Sequence, residues 1–377
     1  MTPEGAGARL CVEIEQRLDG AGLRLIGIEL AYLSIALELV ALLLIVATLL
    51  PLIPTNLGVI RSLDFPRLQI AVALAANCVG LLAISRDGTA LTLAVAMVAA
   101  LALQASYILP FTRLTAPQAK GAGLCRPDDR ISLLVLNVLQ SNRNYGAALD
   151  LIATKAPDLV LLLETDAGWH AAMAPLRAHY PHRVEHPQDN TYGLLFYSRL
   201  PLRDPTIRFL LQEDVPSLRT TVVLPSGEPV TFYGLHPRPP HPGHSSAPRD
   251  AELVVVAREV AKTKDSTIVA GDLNDVAWSH TNRLFQNISG LLDPRQGRGL
   301  FSTFHAQYPF ARWPLDHIFF SEHFLLSDMQ RLNDVGSDHF PIWVDLCRAP
   351  HAPAQQVAPE ASEQDHRDAE KAIEAVR

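Results

Sequence analysis

A chain of 377 residues exceeds one typical domain and suits two units. Apolar residues make up 48% and the mean hydropathy is +0.13, but the excess lies before residue 112, which predicts a membrane portion followed by a polar one. Between Ile131 and Cys347, 18 Lys and Arg stand against 23 Asp and Glu, a net charge of −5, so a broad basic surface for nucleic acid is not indicated.

Residues 1–27 form a polar segment in which Arg9, Arg17 and Arg24 are set among acids. It has no short apolar core followed by a small-residue cleavage site, so it does not read as a cleaved leader. Three apolar runs follow, Ala31–Ile53, Leu68–Ile84 and Ala90–Phe111. A helix needs roughly 20 apolar residues to cross a bilayer; the first and third runs meet this and the second is near the lower limit. Pro51, Pro54 and Pro66 fall at run ends, where they interrupt no helix. Residues 28–112 are therefore predicted to form three transmembrane helices, with the lipid bilayer as partner. Glu38, inside the first run, is expected to be a neutral, packed group rather than a functional one. Residues 113–130 read as a linker. The tail, 348–377, is rich in Ala, Pro, Glu and Gln and is expected to be disordered, with a short helix near its end.

Three spans put the chain ends on opposite sides. Arg9, Arg17, Arg24 and Arg86 would share one side, and Arg61, Arg67, Arg113, Lys120, Arg126 and Arg130 the other. That small margin favours a cytoplasmic C-terminal portion.

In the polar portion, Ile131–Val138, Leu159–Leu163, Gly193–Ser198, Thr220–Leu224, Val230–Leu235, Thr267–Ala270, His317–Phe320 and Phe340–Leu346 are predicted strands. Ala147–Ala156 and Asp250–Lys262 are predicted amphipathic helices. Many strands with few helices suggest an α/β sandwich rather than a doubly wound parallel sheet.

The chemistry lies at the strand ends. Leu133–Leu136 runs into Asn137, Leu159–Leu163 into Glu164, Thr231–Leu235 into His236, and Ile268–Ala270 into Gly271-Asp272-Leu273-Asn274. Leu315 precedes Asp316, and Gly336-Ser337 precedes Asp338-His339. Singly these are weak signals: Asp-x-Asn makes an Asx turn, Glu164 could be a solvated loop residue, His236 precedes a Pro-rich loop, and Asp316 could anchor a turn. On one shared rim they would gather four carboxylates, two amides and two imidazoles, whose repulsion a divalent cation would relieve. Oxygen-rich donors favour Mg²⁺ or Mn²⁺ over zinc.

The ordered set Asn137, Glu164, His236, Asp272-x-Asn274, Leu315-Asp316-His317-Ile318 and Ser337-Asp338-His339-Phe340-Pro341 resembles the endonuclease/exonuclease/phosphatase superfamily. The resemblance covers about residues 131–347. It implies a four-layer α/β sandwich of two packed, mainly antiparallel sheets. It also implies a membrane-anchored, divalent-metal-dependent phosphoester hydrolase (phosphodiesterase, nuclease or phosphatase) in which water attacks phosphorus. Glu164, Asn137 and Asp338 would hold the metal. Asp316 would orient His339, His236 would donate to a phosphate oxygen, and Asp272 and Asn274 would handle the attacking water, with Asp272 or His339 as the base. Arg238, in the Pro-rich loop, is the best candidate for substrate binding. The substrate class stays open among lipid-linked, small-molecule and nucleic-acid phosphoesters, and no obligate protein partner is evident. A catalytically idle membrane scaffold with the same fold is the alternative.

In such a fold the first and last strands lie antiparallel. Cys347 falls nine residues after Asp338 and Cys125 twelve before Asn137. The two thiols are then expected to be neighbours at the opposite end of the sheet, and a disulfide there favours an extracytoplasmic catalytic portion.

Overall fold

The computed structural model describes residues 28–240, 243–263 and 265–376; the N-terminal polar segment, and His241 and Pro242 of the Pro-rich loop, lie outside the described residues. The chain forms two compact units. One extends to Ile53 and resumes over Arg67–Ser106; the other combines Pro54–Pro66 with Tyr107–Arg377.

The first unit carries most of three helices, Ile28–Leu52, Arg67–Ile84 and Gly88–Phe111, each long and apolar enough to cross a membrane. Ala41, Leu74, Leu81 and Met97 pack between them. Polar contacts also join helices: Asn77 donates to the carbonyl of Leu37 at 3.0 Å, and Gln104 links Arg67 (3.0 Å) to Thr48 (3.1 Å). Glu38 bonds within its own helix, accepting from Ser34 at 3.2 Å.

Among the described residues of the second unit, eleven strands form two sheets. The first comprises β1 (Arg130–Asn137), β2 (Leu159–Leu163), β3 (His182–His186), β4 (Leu194–Ser198), β10 (Phe324–Arg331) and β11 (Ile342–Arg348), ordered β10-β11-β1-β2-β4-β3. The second holds β5 (Leu202–Arg208), β6 (Ser217–Val223), β7 (Pro229–Leu235), β8 (Thr267–Asp272) and β9 (Asp316–Phe320), in chain order. Only β1/β2 and β7/β8 are parallel pairs; the others are antiparallel.

Strand alternation sorts the core into layers. From β1, Leu133 and Val135 face the second sheet while Leu134 and Leu136 face helix Tyr145–Lys155 and Trp169. Between the sheets, Phe196 stacks on Phe232 at 4.7 Å. On the far face, Tyr233, Val269 and Phe319 pack against helices Ala247–Ala261 and His280–Ser289. The four-layer sandwich follows. Buried on both faces, β2 is one unbroken apolar run, Leu-Val-Leu-Leu-Leu.

The flanks differ from expectation. The linker packs: Ala119 is fully buried, and the Ala122 amide donates to the Leu326 carbonyl at 2.8 Å, extending the edge of β10. The tail is ordered rather than disordered. Gln356 donates to the carbonyls of Glu322 and Phe324 (2.8 and 2.7 Å), and helix Glu363–Glu374 opens on a Ser362/Asp365 capping box and buries Ala369. A polar tail cannot build a core alone, but a narrow stripe of Ala369, Ala372 and Ile373 suffices against helices already present. Cys125 and Cys347 form a disulfide with a Cα–Cα distance of 5.9 Å, at the end of β11 where Cys347 faces Arg130 of β1.

Candidate active site

Each chemical residue sits where a buried strand stops. Asn137 ends β1, Glu164 follows β2, His236 follows β7, Asp272 ends β8 and Asp316 opens β9. Because β1 and β8 face each other across the inter-sheet core, their ends share one rim. The Asn137 amide nitrogen donates both to Glu164 Oε1 (2.8 Å) and to Asp272 Oδ2 (3.0 Å), tying together carboxylates from two sheets.

The loops after these strands are conformationally specified. Glu164 (φ 61°) and Asn274 (φ 51°) occupy the left-handed region, unusual for residues with side chains. Gly271 has φ 147°, and a Cβ there would lie 1.9 Å from the Leu235 carbonyl oxygen, so only glycine lets β8 and β7 meet at the rim. Asp272 Oδ1 accepts from the Asn274 amide at 2.9 Å, closing an Asx turn. Asn274 in turn donates to the Pro237 carbonyl at 3.0 Å.

On the other flank, His339 Nδ1 is 2.7 Å from Asp316 Oδ2, and its Nε2 is 3.5 Å from Asp272 Oδ2. Ser337 holds this segment: its hydroxyl donates to the Asn137 carbonyl (2.7 Å) and accepts from the His339 amide (3.0 Å). His236 Nε2 stands 3.9 Å from Asp272 and 4.0 Å from Glu164, too far for a direct bond. A ligand oxygen between them would close that gap.

The electrostatics are those of crowded, buried acids. Burial raises the Glu164 carboxyl above its ordinary range, only partly offset by Asn137 and Gln140, and Asp338 adds repulsion. Burial also raises Asp272, against the pull of His339 and His236. Burial pushes the His236 imidazole down, against the pull of Asp272, and so favours its neutral form. Burial opposes the charged form of His339 too, but Asp316 and Asp272 overcome it and raise the ring to about 10.

Asp272, Asp316 and His339 each present a ligand atom within 4.8 Å of the others and could surround an ion. The short His339–Asp316 bond instead commits that ring nitrogen to a proton. The oxygens of Glu164, Asn137 and Asp338 fit a hard cation better, and its charge would relieve the repulsion felt by Glu164. Asn137, Glu164, His236, Asp272, Asn274, Asp316 and His339 thus meet at one rim, and Asp338 is near enough for its charge to act on Glu164 and His339. Arg238 lies beside it, over the Tyr192 ring at 5.3 Å, but its guanidinium is engaged by Asp214 (2.6 Å) and Gln212 (3.1 Å). Sequence reasoning missed Tyr192, whose ring is 5.4 Å from that of His236, and Gln140, whose backbone N–H donates to Glu164 Oε2 at 3.3 Å. Neither stands in a pattern that would mark it.

A two-sheet sandwich with acids, amides and imidazoles convergent at one rim defines the class to which this protein belongs. Residues 134–339, more than half of the chain, match the model of the Endonuclease/Exonuclease/phosphatase family, and the chain belongs to that family. Its members are typically metal-dependent phosphoester hydrolases. Similar solved structures include a humanised Danio rerio TDP2 (17% identity, 58% of this chain and 99% of that one, TM-score 0.49). Others are an endonuclease/exonuclease/phosphatase from Beutenbergia cavernae (20% identity, 59% and 72%, TM-score 0.48) and the human Nocturnin catalytic domain (19%, 63% and 99%, TM-score 0.48). No curated protein matches the sequence.

Proposed function

We propose that this chain is a membrane-anchored hydrolase of phosphoesters that uses Mg²⁺ or Mn²⁺. The observation that carries this reading is the Asn137 amide shared between Glu164 and Asp272, which brings the acids of both sheets to one point. Glu164, Asn137 and Asp338 would hold the cation, whose charge would stabilise the phosphoryl and leaving oxygens.

The protein's own groups supply the rest. His339, protonated at neutral pH by its Asp316 and Asp272 neighbours, donates from Nε2 to a phosphate oxygen rather than serving as base. That leaves Asp272 to orient the attacking water and accept its proton. Neutral His236 donates through Nε2 to a non-bridging oxygen, where charge grows in the transition state. Asn274 commits one amide hydrogen to Pro237 and keeps the other for the phosphate or the water. Arg238 contacts the substrate from the rim, its charge moderated by Asp214. The complete set favours an active enzyme over an idle scaffold, which has no use for every member.

Three apolar helices would anchor the enzyme in a bilayer, and the Cys125–Cys347 disulfide supports an oxidising, extracytoplasmic location for its catalytic unit. The test is hydrolysis of bis-p-nitrophenyl phosphate by the full-length protein. Activity should require Mg²⁺ or Mn²⁺, stop with chelator and be lost in Glu164→Ala. Metal-independent cleavage, or full activity in that variant, would overturn the reading.

A further inference from the structure

Pro54–Pro66 reads in the sequence as a connection between two apolar helices. In the structure it belongs to the compact unit that holds the candidate site. Its backbone pairs with the end of the Pro-rich loop that follows His236: the Gly58 amide donates to the His244 carbonyl (3.1 Å), and the Ser246 amide donates to the Asn56 carbonyl (2.9 Å). Its carbonyl at Asp64 accepts from the Trp278 indole at 2.7 Å.

The side chains reach further. Arg61, only 6% exposed, donates to Thr281 (3.0 Å) and lies 3.9 Å from Asp275 Oδ2. The same Asp275 oxygen is 3.1 Å from Arg249, whose other nitrogen donates to the Asn274 carbonyl at 2.8 Å. Arg249 also holds Asp250 at 2.7 Å. Arg61 also lies 3.4 Å from the buried Asp64 of its own segment, so two buried guanidiniums, Arg61 and Arg249, face three buried carboxylates, Asp64, Asp250 and Asp275, behind the Asp272–Asn274 turn. Removing Arg61 takes a counter-charge away from buried Asp64 and Asp275 together, a situation a protein interior tolerates poorly. By a second route, Phe65 meets Trp313 edge-on at 5.7 Å, Trp313 stacks on Phe304 at 6.1 Å, and Phe304 lies 5.0 Å from His339.

We propose that the segment between the first two apolar helices is a working part of the catalytic unit, with Arg61 and Phe65 as positioning residues for the Asp272–Asn274 turn and for His339. Three membrane crossings put this segment and everything after the third helix on the same side, as its docking requires. Catalytic competence then depends on the anchor itself, and a fragment that starts after the third helix lacks a piece of its own active-site support. This inference rests on the phosphoester hydrolase reading.

The test uses the full-length protein in phospholipid nanodiscs with Mg²⁺ and bis-p-nitrophenyl phosphate. It compares Arg61→Gln, Arg61→Lys and, as a control in the other interhelical turn, Arg86→Gln. Displacing a catalytic group by about 1 Å can cost on the order of 100-fold, so Arg61→Gln should lower kcat by at least about tenfold with little change in KM. Lys should recover part of the loss and Arg86→Gln should do nothing. Amide hydrogen exchange should quicken over residues 273–276 in Arg61→Gln while β2 stays protected. Unchanged kcat and unchanged exchange would overturn the proposal. Should Arg61→Gln fail to fold, Phe65→Leu tests the second route by the same two readouts, and wild-type kcat with wild-type exchange would again overturn it. A wild-type protein without phosphoesterase activity would sink the hydrolase reading, and the exchange data would then decide the docking alone.

Discussion

The disulfide offers a perturbation whose size can be worked from the structure. Cys125 and Cys347 are 222 residues apart in sequence, so their bond closes a loop around nearly the whole two-sheet sandwich. In the chain-entropy treatment a loop of that length removes enough freedom from the unfolded chain to stabilise the fold by about 5 kcal/mol at 25 °C. Total stabilities run about 5–15 kcal/mol, so opening it should be conspicuous. All four tryptophans, Trp169, Trp278, Trp313 and Trp343, lie in the second unit, so their fluorescence reports its unfolding alone. Guanidinium unfolding of the full-length protein should shift to a lower midpoint on adding dithiothreitol. The double variant Cys125→Ser/Cys347→Ser should match the reduced wild type and ignore the reductant. Activity of the still-folded protein should persist, because the bond sits at the end of β11 away from Asp338. A wild-type midpoint indifferent to reductant would refute both the cross-link and the compartment inferred from it.

Glu252 is 2% exposed, with one carboxylate oxygen lacking a partner; burial pushes it up to about 8 against the pull of Arg208. A carboxyl raised in the folded state gives stability that is complete below its ordinary value near 4.5 and is lost as pH rises through about 8. Glu252→Gln should therefore raise stability at pH 9, on the order of 4 kcal/mol, and flatten the pH dependence of melting; parallel melting curves would contradict this. Gly271→Ala should abolish folding of the β7–β8 rim, because its Cβ would meet the Leu235 carbonyl at 1.9 Å, and a wild-type melting temperature would show the strand ends differently placed. Asp316→Asn should cost about 10²–10⁴ in kcat, the span of a general acid–base group. Since Asp316 raises His339, its loss should also move the alkaline limb of the rate profile toward neutrality; an unmoved limb would dissociate the two residues.

The strands legible in the sequence were those buried along their length. The three that escaped notice, His182–His186, Leu202–Arg208 and Phe324–Arg331, are all sheet edges. Their exposed faces dilute the apolar signal, as in Leu202–Arg208, where four consecutive residues are exposed. The fourth edge, Asp316–Phe320, was recognisable because a bridge to Leu292 covers it and all five residues are buried. Site residues were legible for a related reason. A buried apolar strand that ends on Glu164 or Asp272 announces a polar group held at a fixed place. Arg61 carried no such mark, since an i,i+3 pair with Asp64 is ordinary in an interhelical turn and the partners that tie it to the site, Thr281 and Asp275, lie more than 200 residues away. The ordered tail was equally hidden: Ala369 becomes core only when two other helices supply the surface.

Binding of Mn²⁺ to the full-length protein, followed by electron paramagnetic resonance, addresses most directly whether the strand-end acids converge on a cation. Saturable binding in the wild type, lost in Glu164→Gln and retained in Asp316→Asn, is the predicted outcome. Equal binding in wild type and Glu164→Gln would contradict it, and loss only in Asp316→Asn would move the ion to the Asp272–Asp316–His339 cluster.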